Sequence, residues 1–476
     1  MINTILKINK KHYSFLLLLI VFSTQAQEIQ WEKSYGGKQA EYLTDVIATT
    51  DYGYILAGSS LSVKSGNKTD NNKGDLDYWI WKMKENGDPE WQKSFGGSGS
   101  DFLQSIDKTN DGGFILAGTS SSPGPNPSRP PQRGGEATEE IENYYDKQDA
   151  CRGGEDFWII KLNARGEMEW QKTIGGSGQE KLQTVQQTKD GGYILGGSSS
   201  SQASPNPSEG GGLSPEVLNE FGEKTSQNFG NLDYWIVKLD KTGKIVWQKT
   251  YGGIYFDELR SLEQTTDGGY IVGGYSNSPT SPPTPLQGRG ERDSFAKNDD
   301  NKGIGDFWVI KIDRDGNEQW QRTIGGDQDD QLYIVHQTYD GNFVVGGNSN
   351  SSATDQKSKN NTSGTDFWVL KLDPDGKTIW QEIYNIAEVD VLTSLVENKD
   401  HSLLLGGYSP LTPEEGTSNG FNKLSKQKKN NDGDYVALKI TENGEELWRK
   451  TLGSEGEDLL KKAIETRDGG YLLAGT

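Results

Sequence analysis

The chain has 476 residues, a formal net charge of −20 and one cysteine. A surface this acidic repels nucleic-acid phosphate and anionic membrane. A single cysteine excludes an intramolecular disulfide, so the fold must rest on packing.

Read from the N-terminus, Lys7, Lys10 and Lys11 precede an apolar run from Ser14 to Phe22, and Thr24-Gln25-Ala26 offers a small-residue cleavage site. Residues 1–26 therefore read as a signal peptide, with a mature chain starting near Gln27. The apolar run is shorter than the roughly 20 residues a membrane helix needs, and nothing after it comes closer. The expectation is an exported chain, secreted or on the cell surface, with no transmembrane segment.

The rest is a repeat. Trp31, Trp91, Trp170, Trp247, Trp320, Trp380 and Trp448 each open a unit, while Trp79, Trp158, Trp235, Trp308 and Trp368 recur at a second position. The tenth residue after each opening Trp is acidic: Glu41, Asp101, Glu180, Asp257, Asp330, Asp390 and Asp458. The twelfth is Leu, the twentieth Asp (Asp51 to Asp468) and the twenty-seventh Gly (Gly58 to Gly475). A segment of variable length follows, and then an Asp fourteen residues before the next opening Trp: Asp77, Asp156, Asp233, Asp306, Asp366 and Asp434. Fixed spacing on both sides of one elastic joint describes strands with a single tolerated insertion.

Within the second unit, DFLQSIDKT alternates, Asn110-Asp111-Gly112-Gly113 makes a tight turn, and GFILAG, DFWIIKLN and EMEWQKTIGG complete four strands. DFWIIKL is apolar at consecutive positions, so both of its faces must be covered. Sheets stacked around an axis provide that cover. The predicted fold is an all-β propeller of four-stranded antiparallel blades at about 41–97, 101–176, 180–253, 257–326, 330–385 and 389–453. A partial seventh blade at 458–476 would be closed by an N-terminal strand over 29–35, whose Trp31 is expected to be as buried as the other opening tryptophans. The third strand of that blade does not follow, so the sequence looks cut off at Thr476. Disordered insertions are expected at about 61–74, 120–153, 199–231, 277–304, 349–364 and 409–432, rich in Ser, Pro, Asn and Gly.

Units such as WQKTIGGSGQEKLQTVQQTKDGGYILGGSSSS with DYWIVKLDKTGKIVW resemble the bacterial β-propeller repeat family often called SBBP. The resemblance covers nearly everything after the signal peptide. The sixth unit departs from it: Tyr384-Asn385-Ile386 replaces Tyr-Gly-Gly, His401-Ser402 replaces Gly-Gly, and Val436 replaces the inner Trp. The resemblance implies an exported or cell-surface bacterial protein and carries no shared catalytic residues.

The seven tenth-position carboxylates begin the innermost strands and are the candidate binding residues, a ring at one channel mouth able to attract a cation such as Ca²⁺. Their alternative role is to accept backbone N–H bonds from their own Gly-Gly loops. Asp313-Arg314-Asp315-Gly316-Asn317 and Asp373-Pro374-Asp375-Gly376 resemble the start of a calcium loop but lack its distal Glu and read as hairpin turns. After export only His336 and His401 remain, in different units, which argues against a histidine triad or a multi-histidine metal site. Cys151 reads as an incidental thiol. No catalytic residue, metal site or cofactor is predicted. The expected function is a monomeric, non-enzymatic binding or scaffold module for a protein or polysaccharide, acting through the face that carries the insertions. The competing reading is a glycan-active hydrolase with a carboxylate site at the channel mouth.

Overall fold

The computed structural model describes residues 28–124, 145–204, 223–278, 303–354, 356–362, 364–410, 433–453 and 456–476. The predicted signal peptide and parts of five of the six expected insertions lie outside them. No helix among the described residues is long and apolar enough to cross a membrane.

Six four-stranded antiparallel blades span Glu41–Phe95, Asp101–Ile174, Glu180–Tyr251, Asp257–Ile324, Asp330–Tyr384 and Val391–Leu452, each a meander in chain order. Leu460–Glu465 and Tyr471–Gly475 add a two-stranded hairpin. The innermost strand of each blade touches that of the next, and the hairpin stands between the sixth blade and the first.

The core is a series of seams between blades. Five of the six third strands, such as Asp156–Leu162, are buried along their whole length, as consecutive apolar residues require. Their D-[FY]-W motif faces both ways: the Phe or Tyr meets the inner Trp of the following blade. Ring centroids lie 4.7 Å apart for Tyr78 and Trp158, 5.0 Å for Phe157 and Trp235, 4.7 Å for Tyr234 and Trp308, and 5.0 Å for Phe307 and Trp368. At the next seam Phe367 shares a cluster with Val436, the residue that replaces the inner Trp. The third-strand Lys of each complete blade, buried in five of the six, reaches the Asp of the first turn: Lys161 to Asp111, Lys238 to Asp190 and Lys311 to Asp267 at 2.9 Å, with Lys82–Asp51, Lys371–Asp340 and Lys439–Asp400 alongside. These pairs explain the invariant twentieth-position Asp.

Three expectations change. The opening tryptophans are only half-buried: six of them, Trp31 to Trp380, rest on the turn glycine between the third and fourth strands of the following blade, and Trp448 packs on Tyr471. Trp91 covers Gly166, Trp170 Gly243 and Trp380 Gly444, so close that an added Cβ would come within 2.8 to 3.2 Å of the ring.

Second, residues 29–35 do not form a strand, and no closed seventh blade is present among the described residues. In the complete blades a third strand fills the space between the second and the outer strand, and a backbone ladder needs neighbours about 4.8 Å apart. Side chains hold the segment instead. Trp31 lies on Gly87, and the Tyr35 hydroxyl donates to the Gly87 carbonyl at 2.5 Å, as Tyr251 does to Gly316 at 2.5 Å and Tyr384 to Gly444 at 2.6 Å. Gln30 Nε2 donates to Asp468 at 3.1 Å. Trp31 is thus half-buried like the other six, on the first blade, while its neighbour Gln30 reaches the hairpin.

Third, part of every segment expected to be disordered lies within the described residues. Residues 61–74 are described throughout, and the described residues before the third strands of the second, third and fifth blades belong to the framework, as the next subsection details.

The burial pattern predicts an order of costs. Trp235→Ala, at a fully buried ring, should lower stability by about 3–5 kcal/mol. Trp247→Ala, at a half-buried ring, should cost about 1–2 kcal/mol. Urea unfolding followed by tryptophan fluorescence checks the ranking.

Candidate functional site

The predicted carboxylate ring faces inward, into the seams. Asp101, Glu180, Asp257, Asp330 and Asp390 are fully buried, and Glu41 and Asp458 are half-buried. Asp101 accepts from the Gly97 N–H at 2.7 Å, Glu180 from Gly176 at 2.8 Å, Asp257 from Gly253 at 2.6 Å, Asp330 from Gly326 at 2.7 Å and Asp390 from Ile386 at 2.7 Å. A serine just past the second strand adds a bond: Ser62 to Glu41 at 2.5 Å, Ser122 to Asp101 at 2.9 Å, Ser278 to Asp257 at 3.0 Å and Ser351 to Asp330 at 2.8 Å. Asp458 joins the sixth blade through its backbone N–H, which donates to the Gly433 carbonyl at 2.7 Å.

The third-strand Asp caps its own approach loop: Asp156 accepts from the Arg152 N–H at 2.6 Å and Asp233 from Phe229 at 2.5 Å. It then presses on the following Gly-Gly loop. A Cβ on Gly96 would lie 2.1 Å from Asp77 Oδ1, and one on Gly97 would lie 2.6 Å from Ser122. Both glycines are therefore set by close approach. Asp77, Asp156, Asp233 and Asp366 each meet the first-strand acid of the next blade, and Asp77, Asp156 and Asp233 each keep one buried Oδ1 without a hydrogen-bond donor. Where Asn385 replaces the first glycine, its Nδ2 donates to Asp366 Oδ1 at 2.7 Å, which fills that vacancy.

A recurrent lysine escaped the sequence reading. Lys68, Lys147, Lys224 and Lys357 lie nine residues before the third-strand Asp, inside segments taken as wholly elastic, and are at most 2% exposed. Lys68 Nζ donates to the Asp70 carbonyl at 2.9 Å and Ser94 Oγ at 2.8 Å, Lys147 Nζ to Thr173 Oγ1 at 2.8 Å and Lys224 Nζ to the Ser226 carbonyl at 2.6 Å. Each lies near both acids of its blade, and burial pushes Lys224 down to about 8. The repeated nine-residue spacing was the available signal. Cys151 stands where Asn72 and Asn361 bond the end of the second strand, and its thiol does likewise, to the Ser120 carbonyl at 2.9 Å. Burial raises that thiol's pKa.

The two histidines, in different units, both reach Glu397 on the opposite face. His336 Nδ1 lies 2.9 Å from Glu263 and its Nε2 lies 3.3 Å from Glu397. His401 Nδ1 stands 3.7 Å from Glu397. Burial alone would lower His336, but the bonds to Glu263 and Glu397 raise it to about 9. The calcium-loop look-alikes are turns: Asp313 Oδ1 accepts from the N–H groups of Asp315 at 2.9 Å and Asn317 at 2.8 Å, and Asp373 does the same for Asp375 and Lys377.

On the insertion face, the loop before each first strand is mostly small or polar, as in Ser98-Gly99-Ser100 and Ser177-Gly178-Gln179. Before the fourth blade it reads Ile254-Tyr255-Phe256, with exposures of 58%, 49% and 49%.

The fold and its seams define the chain as a β-propeller. No family model matches it. The regulatory protein FlaEY of Caulobacter vibrioides is 25% identical over 173 residues, which is 36% of this chain and 17% of that protein. Among solved structures, hydrazine synthase of Kuenenia stuttgartiensis has 9% identity and a TM-score of 0.45, over 94% of this chain and 99% of that one. YCF48 bound to a D1 peptide has 8% identity and a TM-score of 0.43, over 95% and 96%. The propeller assignment rests on the strand ladders and seams above.

The buried acids generate a pH prediction. Burial, then the neighbouring acid across the seam, raises Asp77 and Asp233 to about 7, against the pull of backbone donors. Unfolded, an Asp titrates near about 3.9. The folded chain therefore binds more protons between these values, and the contribution of these groups, full below about pH 4, is lost as pH rises through 7. The turn aspartates act oppositely. Burial pushes Asp111, Asp190 and Asp267 up, but Thr and Lys partners hold them at about 2, so their contribution is present above pH 4 and lost as pH falls through 2. The melting temperature should peak at mildly acidic pH, and Asp233→Asn should flatten the decline toward pH 8. Parallel pH profiles for variant and wild type would contradict this.

Proposed function

We propose that this chain is a non-enzymatic binding or scaffold module that recognises a protein or glycan through the insertion face, centred on Ile254-Tyr255-Phe256. That tripeptide is the observation that carries the reading. Half-exposed aromatic side chains at a loop otherwise filled by small or polar residues break the repeat where partners have access, and exposed aromatics suit protein contacts and stacking on sugar rings. The competing hydrolase reading needs channel-mouth carboxylates free to act, whereas five of the seven are buried and accept loop N–H groups.

Export to the cell surface and kinship with SBBP-type repeats belong to the same proposal, supported by the N-terminal residues and the repeat pattern. We further infer that residues 29–35 stand in for the outer strand of the seventh blade. The support is that Trp31 and Tyr35 make on Gly87 the contacts that outer-strand residues make elsewhere.

Screening the chain from Gln27 onward against a glycan array, an extracellular protein panel and chromogenic glycosides tests the proposal. Binding should fall at least about tenfold in Tyr255→Ser/Phe256→Ser with an unchanged melting temperature. Binding indifferent to that pair, or glycoside turnover removed by one carboxylate substitution, would overturn it.

A further inference from the structure

The seam between the fifth and sixth blades departs from the repeat on the face opposite the insertions. Seven residues after the first-strand acid the third, fourth and fifth blades carry Gln187, Gln264 and Gln337, each donating to the carbonyl of the turn glycine four residues on, Gly191, Gly268 and Gly341. The sixth blade replaces both members of this pair, with Glu397 and His401. Glu397 cannot make the amide donation, and His401 holds the left-handed conformation, φ 63°, that Gly112, Gly191, Gly268 and Gly341 hold in the second to fifth blades and Tyr52, φ 68°, in the first. His336 sits on the adjacent innermost strand. The three departures converge beside a cleft of about 290 Å³ lined in part by Tyr339, Asp340, Lys371 and Glu442.

We propose that His336, Glu397 and His401 bind one divalent transition-metal ion of the Zn²⁺ type, with Glu263 as the carboxylate that orients His336. Two ligands at about 2.0–2.2 Å from a tetrahedral ion stand about 3.3–3.6 Å apart. The 3.3 Å between His336 Nε2 and Glu397 Oε2 matches that spacing, and His401 Nδ1 stands 3.7 Å from the other oxygen, Oε1, so the carboxylate lies between the two imidazoles with one oxygen toward each. The other nitrogen of His336 is held by Glu263 at 2.9 Å, the arrangement that fixes the tautomer of a metal-binding imidazole. Two imidazoles with one carboxylate suit Zn²⁺, Ni²⁺ or Cu²⁺; Ca²⁺ and Mg²⁺ want oxygen shells. Among the described residues no three such groups already surround one point. The site closes by a turn of the His401 ring, whose side chain is 55% exposed, and the cleft leaves the fourth position to water.

Zn²⁺ titration of the chain by calorimetry, together with the visible spectrum of the Co²⁺ form, tests this. Glu397→Gln and His401→Gly restore the residues other repeats carry, so the fold tolerates them. Wild type should bind one ion, tighter than about 100 μM, with a four-coordinate Co²⁺ spectrum. Each of the two variants should weaken binding at least about tenfold, and Glu263→Gln about ten- to a hundredfold. No binding at millimolar Zn²⁺, a six-coordinate Co²⁺ spectrum, or unchanged affinity in either Glu397→Gln or His401→Gly would overturn the proposal.

Discussion

The propeller depends on one buried contact, the carboxylate of each third strand pressed on the Gly-Gly loop of the following blade. That loop gives its second N–H to the first-strand acid of its own blade, and a serine from the same blade bonds that acid in turn. In the second, third and fifth blades two acids and one lysine are thereby enclosed, without a nearby bulk solvent shell to dissipate their charge. Such an arrangement survives only because backbone donors surround the carboxylates, and it accounts for the glycines, the serines and the spacing of the acids together.

The hydrophobic part of each seam follows from the same geometry. With the carboxylate at its start fixed against the next loop, the third strand directs its Phe or Tyr forward and its Trp backward, and consecutive blades interlock through aromatic pairs. The sixth blade shows how far the scheme bends. Asn385 supplies the missing donor to Asp366, and Val436 stands in for an indole, so the seam keeps its bonds while losing ring area.

Much of this was legible in the residues. Blade boundaries, strand order, tight turns and the role of the carboxylates as acceptors for loop N–H groups follow from spacing, because period and turn chemistry are local properties. What was not legible is what crosses seams. The meeting of Asp77 with Asp101, or of His336 with Glu397, depends on how blades stack, and no single repeat encodes it. Lys68 and its equivalents were hidden for another reason: they sit in segments whose length varies, and the fixed spacing runs backward from the third strand. The opening tryptophans misled because size suggests burial, whereas an indole lying on a glycine turn stays open on its other face.

That indole-on-glycine contact has a direction. Each unit offers a tryptophan forward and receives one on its own turn, so the joint is head-to-tail, a heterologous interface repeated along a single chain. Gain or loss of a whole unit leaves every surviving joint with its complement. The number of blades is consequently set by the rotation per joint needed to close the circle, and duplication of one unit tests curvature before it tests contacts.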